Sequence, residues 1–214
     1  MPDYSINKSL NHNSLKTGIS VLSDMDPDLK RVVNEMGHPP LWSREPGFAT
    51  LIHIILEQQV SLASAEAAFN KLNNAAGDDL TPETFLEFSD SALKEFGFSR
   101  QKTKYGRELS GQIISGHLDL GRLHQLNDKD AQQALMDVKG IGPWTANIYL
   151  LMALMRPDVW PSGDLAVKQA IRDIRGLDET PGTEAADQIA LQWKPWRAVA
   201  TRILWHYYLN GSSG

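Results

Sequence analysis

Apolar residues in this chain recur at three- and four-residue spacing and are interrupted by Gly, Pro, Asn, Asp and Ser. That period belongs to helices buried on one face, and alternating strand patterns are nearly absent. Asp26 before Pro27 reads as an N-cap with proline in the first helical position, and Gly37 closes that helix. FATLIHIILEQQ, Phe48 to Gln59, is apolar enough for a buried helix. Ser61 opens LASAEAAFNKLNNAA, which ends at Gly77, and Thr81-Pro82 starts a short helix. Further helices are predicted from Ser89 to Gly97, from Ser99 to Gly116, and after Asn127 through DKDAQQALMDV. Pro143 to about Met155 follows, stopped by Pro157. Gly163 to Arg175 is closed by Gly176, Thr183 opens EAADQIALQW, and Pro195 opens WRAVATRILWHYYL. About ten helices with short connections give an all-α fold class. The first 20 or so residues, beginning MPDYSINKSLNHNSLKTG, read as a polar disordered tail, and the terminal GSSG reads as flexible.

Composition narrows the picture mainly by exclusion. Hydrophobic residues make up 42% of the 214, enough for a packed core. The absence of cysteine excludes disulfides, cysteine nucleophiles, zinc ribbons and cysteine-ligated iron–sulfur clusters. The six histidines show no close ligand spacing, so no catalytic metal is suggested. No apolar run approaches the ~20 residues of a membrane span, and no signal peptide is evident. An intracellular protein is expected, in the cytoplasm of a prokaryote or the nucleus of a eukaryote, with no membrane partner. The formal charge of −5 counts against a nucleic-acid binder, so any such face must be local. Basic residues do crowd Arg100 to Arg107 and Lys168 to Arg175, but by themselves these runs read better as solvated helix faces.

The stretch VKGIGPWTA changes this view. Gly140 and Gly142 allow a sharp turn with uncovered backbone N–H groups, and Ile141 between them can anchor the turn. Pro143 then begins a helix whose first N–H groups also lack partners. Free donors at the positive end of a helix make an anion site, and a phosphate is the obvious anion. A plain helix–helix connection is the competing reading. The helix after Pro143 climbs ~18 Å, and the seven residues from Pro157 to Gly163 can reach back ~23 Å when extended. Asp164 can therefore return beside Trp144. The same aspartate also reads as the cap of the helix that follows it.

VKGIGPWTANIYLLMAL followed by DVWPSGDLAVKQAI resembles the helix-hairpin-helix glycine/proline-aspartate superfamily of base-excision DNA glycosylases. Within it, the alkylpurine branch (3-methyladenine DNA glycosylase II) is most similar. GFATLIHIILEQQVSLASAEAAF and PWRAVATRILWHYY fit that branch in the same order, and the resemblance covers roughly Gly47 to Leu209. Bifunctional members carry a lysine where this chain has Trp144, so the resemblance implies a monofunctional hydrolase without lyase activity. Other branches hold an iron–sulfur cluster, for which the cysteines are absent here. Some alkylpurine enzymes have an extra β-rich N-terminal domain, and the short segment before Gly47 suggests a compact form.

The layout implied is two helical subdomains flanking a DNA-binding cleft. Residues 48–160 would form the hairpin-bearing bundle, and residues 1–47 with 161–214 the other subdomain. The implied partner is double-stranded DNA containing alkylated bases, bound by a monomer. The implied reaction flips a 3-methyladenine or 7-methylguanine out of the duplex and hydrolyses its N-glycosidic bond. Asp164 would be catalytic, stabilising the sugar cation or orienting water. Trp144, Trp196 and Trp160 are the base-pocket candidates, whereas Trp193 and Trp205 are taken as core residues. Gly140, Ile141, Gly142 and Thr145 would contact DNA, with Gln59 as the wedge that fills the flipped base's gap. A structural Na+ or K+ would sit on the backbone carbonyls of Met136, Val138 and Ile141. The rival readings are a non-catalytic lesion-binding module, with no use for Asp164, and a helical adaptor with a coincidental turn.

Overall fold

The computed structural model describes residues 9–77 and 79–211, and within them the protein is all α-helical. In chain order the helices are α1 (His12–Met25), α2 (Pro27–Met36), α3 (Phe48–Glu57), α4 (Leu62–Ala75), α5 (Pro82–Glu87), α6 (Asp90–Phe96), α7 (Arg100–Ile114), α8 (Asp128–Met136), α9 (Pro143–Met152), α10 (Leu165–Arg175), α11 (Thr183–Ala190) and α12 (Arg197–Gly211). Short 3₁₀ turns occur at Leu120–Gln125 and Leu191–Trp193. Among the described residues, no helix is long and apolar enough to cross a membrane.

The chain divides into two compact units, residues 1–43 with 154–214 and residues 44–153. In the first, α12 packs on α10, α2 and α1, burying Leu22, Leu29, Val32, Ile171 and Leu204. Asp26 is its polar hub. Its Oδ1 accepts the N–H groups of Asp28 and Leu29, while Oδ2 accepts Arg175 Nη2 at 2.9 Å and Trp193 Nε1 at 2.8 Å. Thus one carboxylate starts α2 and ties it to α10. In the second unit α3 packs on α4, α7 and α9, and α5 packs on α7. Ile52, Ile55, Phe85, Leu109 and Leu150 form its interior.

Several expected boundaries move. The divisions fall at 43/44 and 153/154 rather than 47/48 and 160/161. Residues 154–158 hydrogen-bond within the first unit: Leu10 N–H reaches Met155 O at 2.7 Å and Ala198 N–H reaches Pro157 O at 3.0 Å. Arg44 joins the second unit through its N–H to Met152 O and a two-armed ion pair with buried Glu57. The expected disordered tail is corrected over residues 12–25, which form α1. Asn11 and Ser14 make a reciprocal capping box, and Leu15, Ile19 and Leu22 bury one face. Residues 1–8 and 212–214, including most of GSSG, lie outside the described residues, while Gly211 ends α12. The last helix starts at Arg197, not Pro195, and its first N–H is capped from a distance by Asp158 Oδ1 at 3.3 Å.

Candidate active site

α8 and α9 are the arms of a hairpin whose turn contains two glycines with different physical roles. Gly140 has φ +101°, a left-handed backbone, and a Cβ there would lie 2.7 Å from Tyr105 Cβ and closer still to its ring. It is glycine for conformation and for space. Ile141 is buried as expected of an anchor, and its N–H closes the turn on Val138 O at 3.1 Å. Gly142 has φ −91° and ψ 178°, extended backbone open to any residue, and a Cβ there would meet nothing within 4 Å. Part of the expectation is therefore corrected: the fold requires a glycine at 140 but not at 142. At 142 the missing side chain clears only the outer face, above a helix start that has no side-chain cap.

The hairpin is clamped from α3. Gln58 Nε2 donates to Gly140 O at 3.0 Å and to Thr145 Oγ1 at 2.9 Å. Thr145 was expected to contact DNA, but its side chain is 2% exposed and engaged by Gln58, which leaves only its main chain for that purpose. α3 also stops earlier than the apolar run suggests, at Glu57. Gln58 turns its side chain inward, and Gln59 adopts φ +57° and is exposed. Lys102 Nζ caps the helix end by donating to Leu56 O at 2.7 Å, and burial holds its pKa below the ordinary lysine value. Gln59 thus projects from a braced corner in a conformation that a non-glycine residue rarely takes.

In the other unit Asp164 is the N-cap of α10 and only 8% exposed. Its Oδ1 accepts Val167 N–H at 2.9 Å and Trp205 Nε1–H at 3.3 Å. The helix cap and the contact with Trp205 thus fall on the same carboxylate oxygen. The loop leading into it is pinned by Asp187 of α11, whose Oδ1 accepts Trp160 Nε1 at 2.8 Å and whose Oδ2 accepts Ser162 Oγ at 2.7 Å.

The other tryptophans rearrange the expected set. Trp144 is half-buried at the first turn of α9. Trp160, expected in the base pocket, is 8% exposed, bonded to Asp187 and 5.6 Å from the Trp193 ring. Trp196, also expected there, packs so closely on α1 that a Cβ at Gly18 would lie 2.9 Å from its Cε3. Both are buried. Trp205, taken as a core residue, is instead half-buried and touches the candidate carboxylate. Gln58 and Asp187 were missed as well. Gln58 was hidden by extending the helix through it, and Asp187 is separated from its partners by some 25 residues.

The chain is similar to several known proteins. The Bacillus subtilis protein YfjP is 28% identical over 184 residues, 83% of this chain and 64% of its own length. DNA-3-methyladenine glycosylase of Bacillus subtilis is 28% identical over 169 residues, 74% of this chain and 56% of its own length, so this chain spans about three fifths of those two relatives. Among solved structures, the Schizosaccharomyces pombe 3-methyladenine DNA glycosylase in complex with abasic DNA aligns with a TM-score of 0.83 and 26% identity, covering 88% of this chain and 95% of that one. Residues 52–196, well over half of the chain, match the model of the HhH-GPD superfamily base excision DNA repair proteins, and the chain belongs to that family.

Proposed function

We propose that this chain is a monofunctional DNA glycosylase that removes purines alkylated at N3 or N7, of the 3-methyladenine and 7-methylguanine kind, from double-stranded DNA. The observation that carries the reading is Asp164, a nearly buried carboxylate held by an indole N–H, in a chain whose hairpin also has an uncapped, outward-open helix start at Gly142. The alkylated base is already cationic, so it leaves as a neutral purine with the electrons of the N-glycosidic bond. The remaining task is to stabilise the sugar cation, which a fixed carboxylate does, and to direct water to it. Oxygen from water bonds to the sugar carbon and its proton passes to Asp164 or to solvent. Main-chain N–H groups at Gly140 to Thr145 would hold a phosphate without reading sequence. Gln59 would fill the gap left by the flipped base, and Trp144 would stack on that base.

A monovalent cation, Na+ or K+, is proposed on the carbonyls of Met136, Val138 and Ile141. The donor set fits it: three neutral backbone oxygens around one turn, with Val138 O already fixed by the Ile141 N–H. When bound, the ion would supply positive charge beside the incoming phosphate.

The test is release of methylated purines from dimethyl-sulfate-treated duplex DNA, separated by chromatography. The wild type should release them, and Asp164→Asn should be slower by about 100- to 1,000-fold while binding an abasic-analogue duplex normally. Asparagine preserves the cap on α10, so folding is not at stake. Equal release by both proteins would remove Asp164 from the mechanism. Binding without any release by the wild type would identify a lesion-binding module. Trp144 replaces the lyase lysine, so borohydride should trap no covalent protein–DNA adduct.

A further inference from the structure

Asp164 is the last residue of a tight turn that no regular element precedes. Its N–H donates to Pro161 O at 3.0 Å, and Gly163 between them has φ +84°, the left-handed value that the third residue of a type II turn requires. Just upstream, Ser162 N–H donates to Trp160 O at 2.9 Å. Bonds this local fix the shape of the turn but not its place in the unit. That place is set by α11. Asp187, half-buried on this helix, accepts the Trp160 Nε1–H at 2.8 Å on one carboxylate oxygen and the Ser162 hydroxyl at 2.7 Å on the other. Trp160 and Ser162 bracket Pro161, where the turn begins. One helical turn before Asp187, on the same face of α11, Thr183 Oγ1 lies 4.0 Å from where a Cβ on Gly163 would stand. The Trp160 ring is backed by Trp193, with centroids 5.6 Å apart. All of these residues belong to one compact unit.

Either bond alone would satisfy a surface carboxylate. The pair, placed on both sides of Pro161, holds the turn. Hydrogen bonds to an ionised carboxylate are about twice as strong as neutral ones, and two on one group fix direction as well as distance. Misplacing a reacting group by about 1 Å can cost about 100-fold in rate. We propose that Asp187 is a positioning residue: by gripping Trp160 and Ser162 it sets the height and tilt of the turn that presents the Asp164 carboxylate to the sugar. The inference rests on the glycosylase reading above and adds the residue outside the reacting centre that fixes its geometry.

Asp187→Ala removes both bonds. At saturating enzyme, single-turnover release of 3-methyladenine and 7-methylguanine from methylated duplex should slow by about 10- to 100-fold. The half-saturating enzyme concentration and the affinity for an abasic-analogue duplex should stay within about twofold, because the residue acts on the reacting group and not on DNA binding. Asp187→Asn keeps an acceptor for the indole and offers an amide donor to the Ser162 oxygen, so it should recover most of the lost rate. In the Asp164→Asn background, Asp187→Ala should slow the residual release by less than about twofold, since no carboxylate is left to place. If urea unfolding shows that Asp187→Ala does not fold, Ser162→Ala breaks one arm only and carries the same measurements, with an expected loss of about 3- to 10-fold. The proposal is overturned if the alanine variant releases base at the wild-type rate, if its abasic-duplex affinity falls as far as its rate, if Asp187→Asn is no better than Asp187→Ala, or if the loss is as large in the Asp164→Asn background. Failure of the glycosylase reading itself is distinguishable, since Asp164→Asn alone would then match the wild type, and the role of Asp187 would fall with it.

Discussion

The hairpin in one unit and the Asp164 corner in the other are built on opposite principles. The hairpin is a backbone device. The surface proposed to hold a phosphate is made of main-chain N–H groups, while Ile141 is buried and the Thr145 side chain is engaged by Gln58. The Asp164 corner is a side-chain device, in which a carboxylate, the indoles of Trp42 and Trp205, and the His206 ring converge from three stretches of chain, one of them more than 100 residues from the other two. A backbone device depends on what is missing at each position. A side-chain device depends on what is present and on how rigidly distant segments hold it.

The widest separation between these principles is expected at the two glycines. Alanine at Gly140 meets the Tyr105 side chain and a φ of +101° together, and should cost about 3 kcal/mol or more of stability. Alanine at Gly142 enters open space on extended backbone and should change stability by no more than about 0.5 kcal/mol. Its effect should appear instead as weaker binding to damaged and undamaged duplexes alike. Urea unfolding and fluorescence anisotropy of the two variants check this. If Gly142→Ala binds both duplexes normally, the outward face of the hairpin is not a phosphate site.

A smaller effect should come from the clamp. Gln58→Leu removes both bonds to the hairpin and leaves Gly140 O and the buried Thr145 hydroxyl short of a donor, a loss of about 1–2 kcal/mol. The hairpin would then lose its brace without losing its sequence. Hydrogen exchange should show faster opening confined to the turn from residue 137 to residue 145. Exchange that rises evenly across α3 and α9 instead would mean that Gln58 supports the whole bundle rather than the turn.

The contrast also explains what was legible in the sequence. Helix starts and stops are local chemistry, so most boundaries could be read from caps, prolines and glycines. The hairpin could be read for the same reason, since its Gly-Ile-Gly-Pro run is contiguous. α1 was also local, through Asn11 and Ser14, and was lost only because its surroundings are polar. The aspartate corner was not local. Nothing in WRAVATRILWHYY shows that Trp205 will reach Asp164, or that Trp196 will pack on Gly18 of α1, until α12 is packed. Trp42 left no trace in the sequence, because its left-handed backbone is held by a contact made elsewhere, from Arg202 Nε to Leu41 O. Local chemistry therefore marks most of these helices, if not every boundary. The link from helices to a side-chain cluster required packing.

The smallest expected effect concerns pH, and it belongs to the hairpin unit. His53 on α3 is stacked on Phe69 with ring centroids 4.3 Å apart, and its Nε2 lies 3.2 Å from Glu66 and 3.8 Å from Glu57. Burial lowers its pKa, and Arg44 behind Glu57 lowers it further, against the opposing pull of the two carboxylates. With the folded pKa below the unfolded 6.5, the unfolded chain binds the proton more readily. The stability this confers is complete above pH 6.5 and is lost as the pH falls below it. The hairpin unit should therefore soften slightly in mild acid. His53→Gln keeps a polar side chain of similar length and has no proton to gain, so its thermal midpoint should change less than that of the wild type between pH 7.5 and 5.5. Hydrogen exchange at pH 5.5 should rise around α3 and α4 in the wild type by more than in His53→Gln. An identical pH slope in wild type and variant would remove His53 from the account and place the acid sensitivity elsewhere.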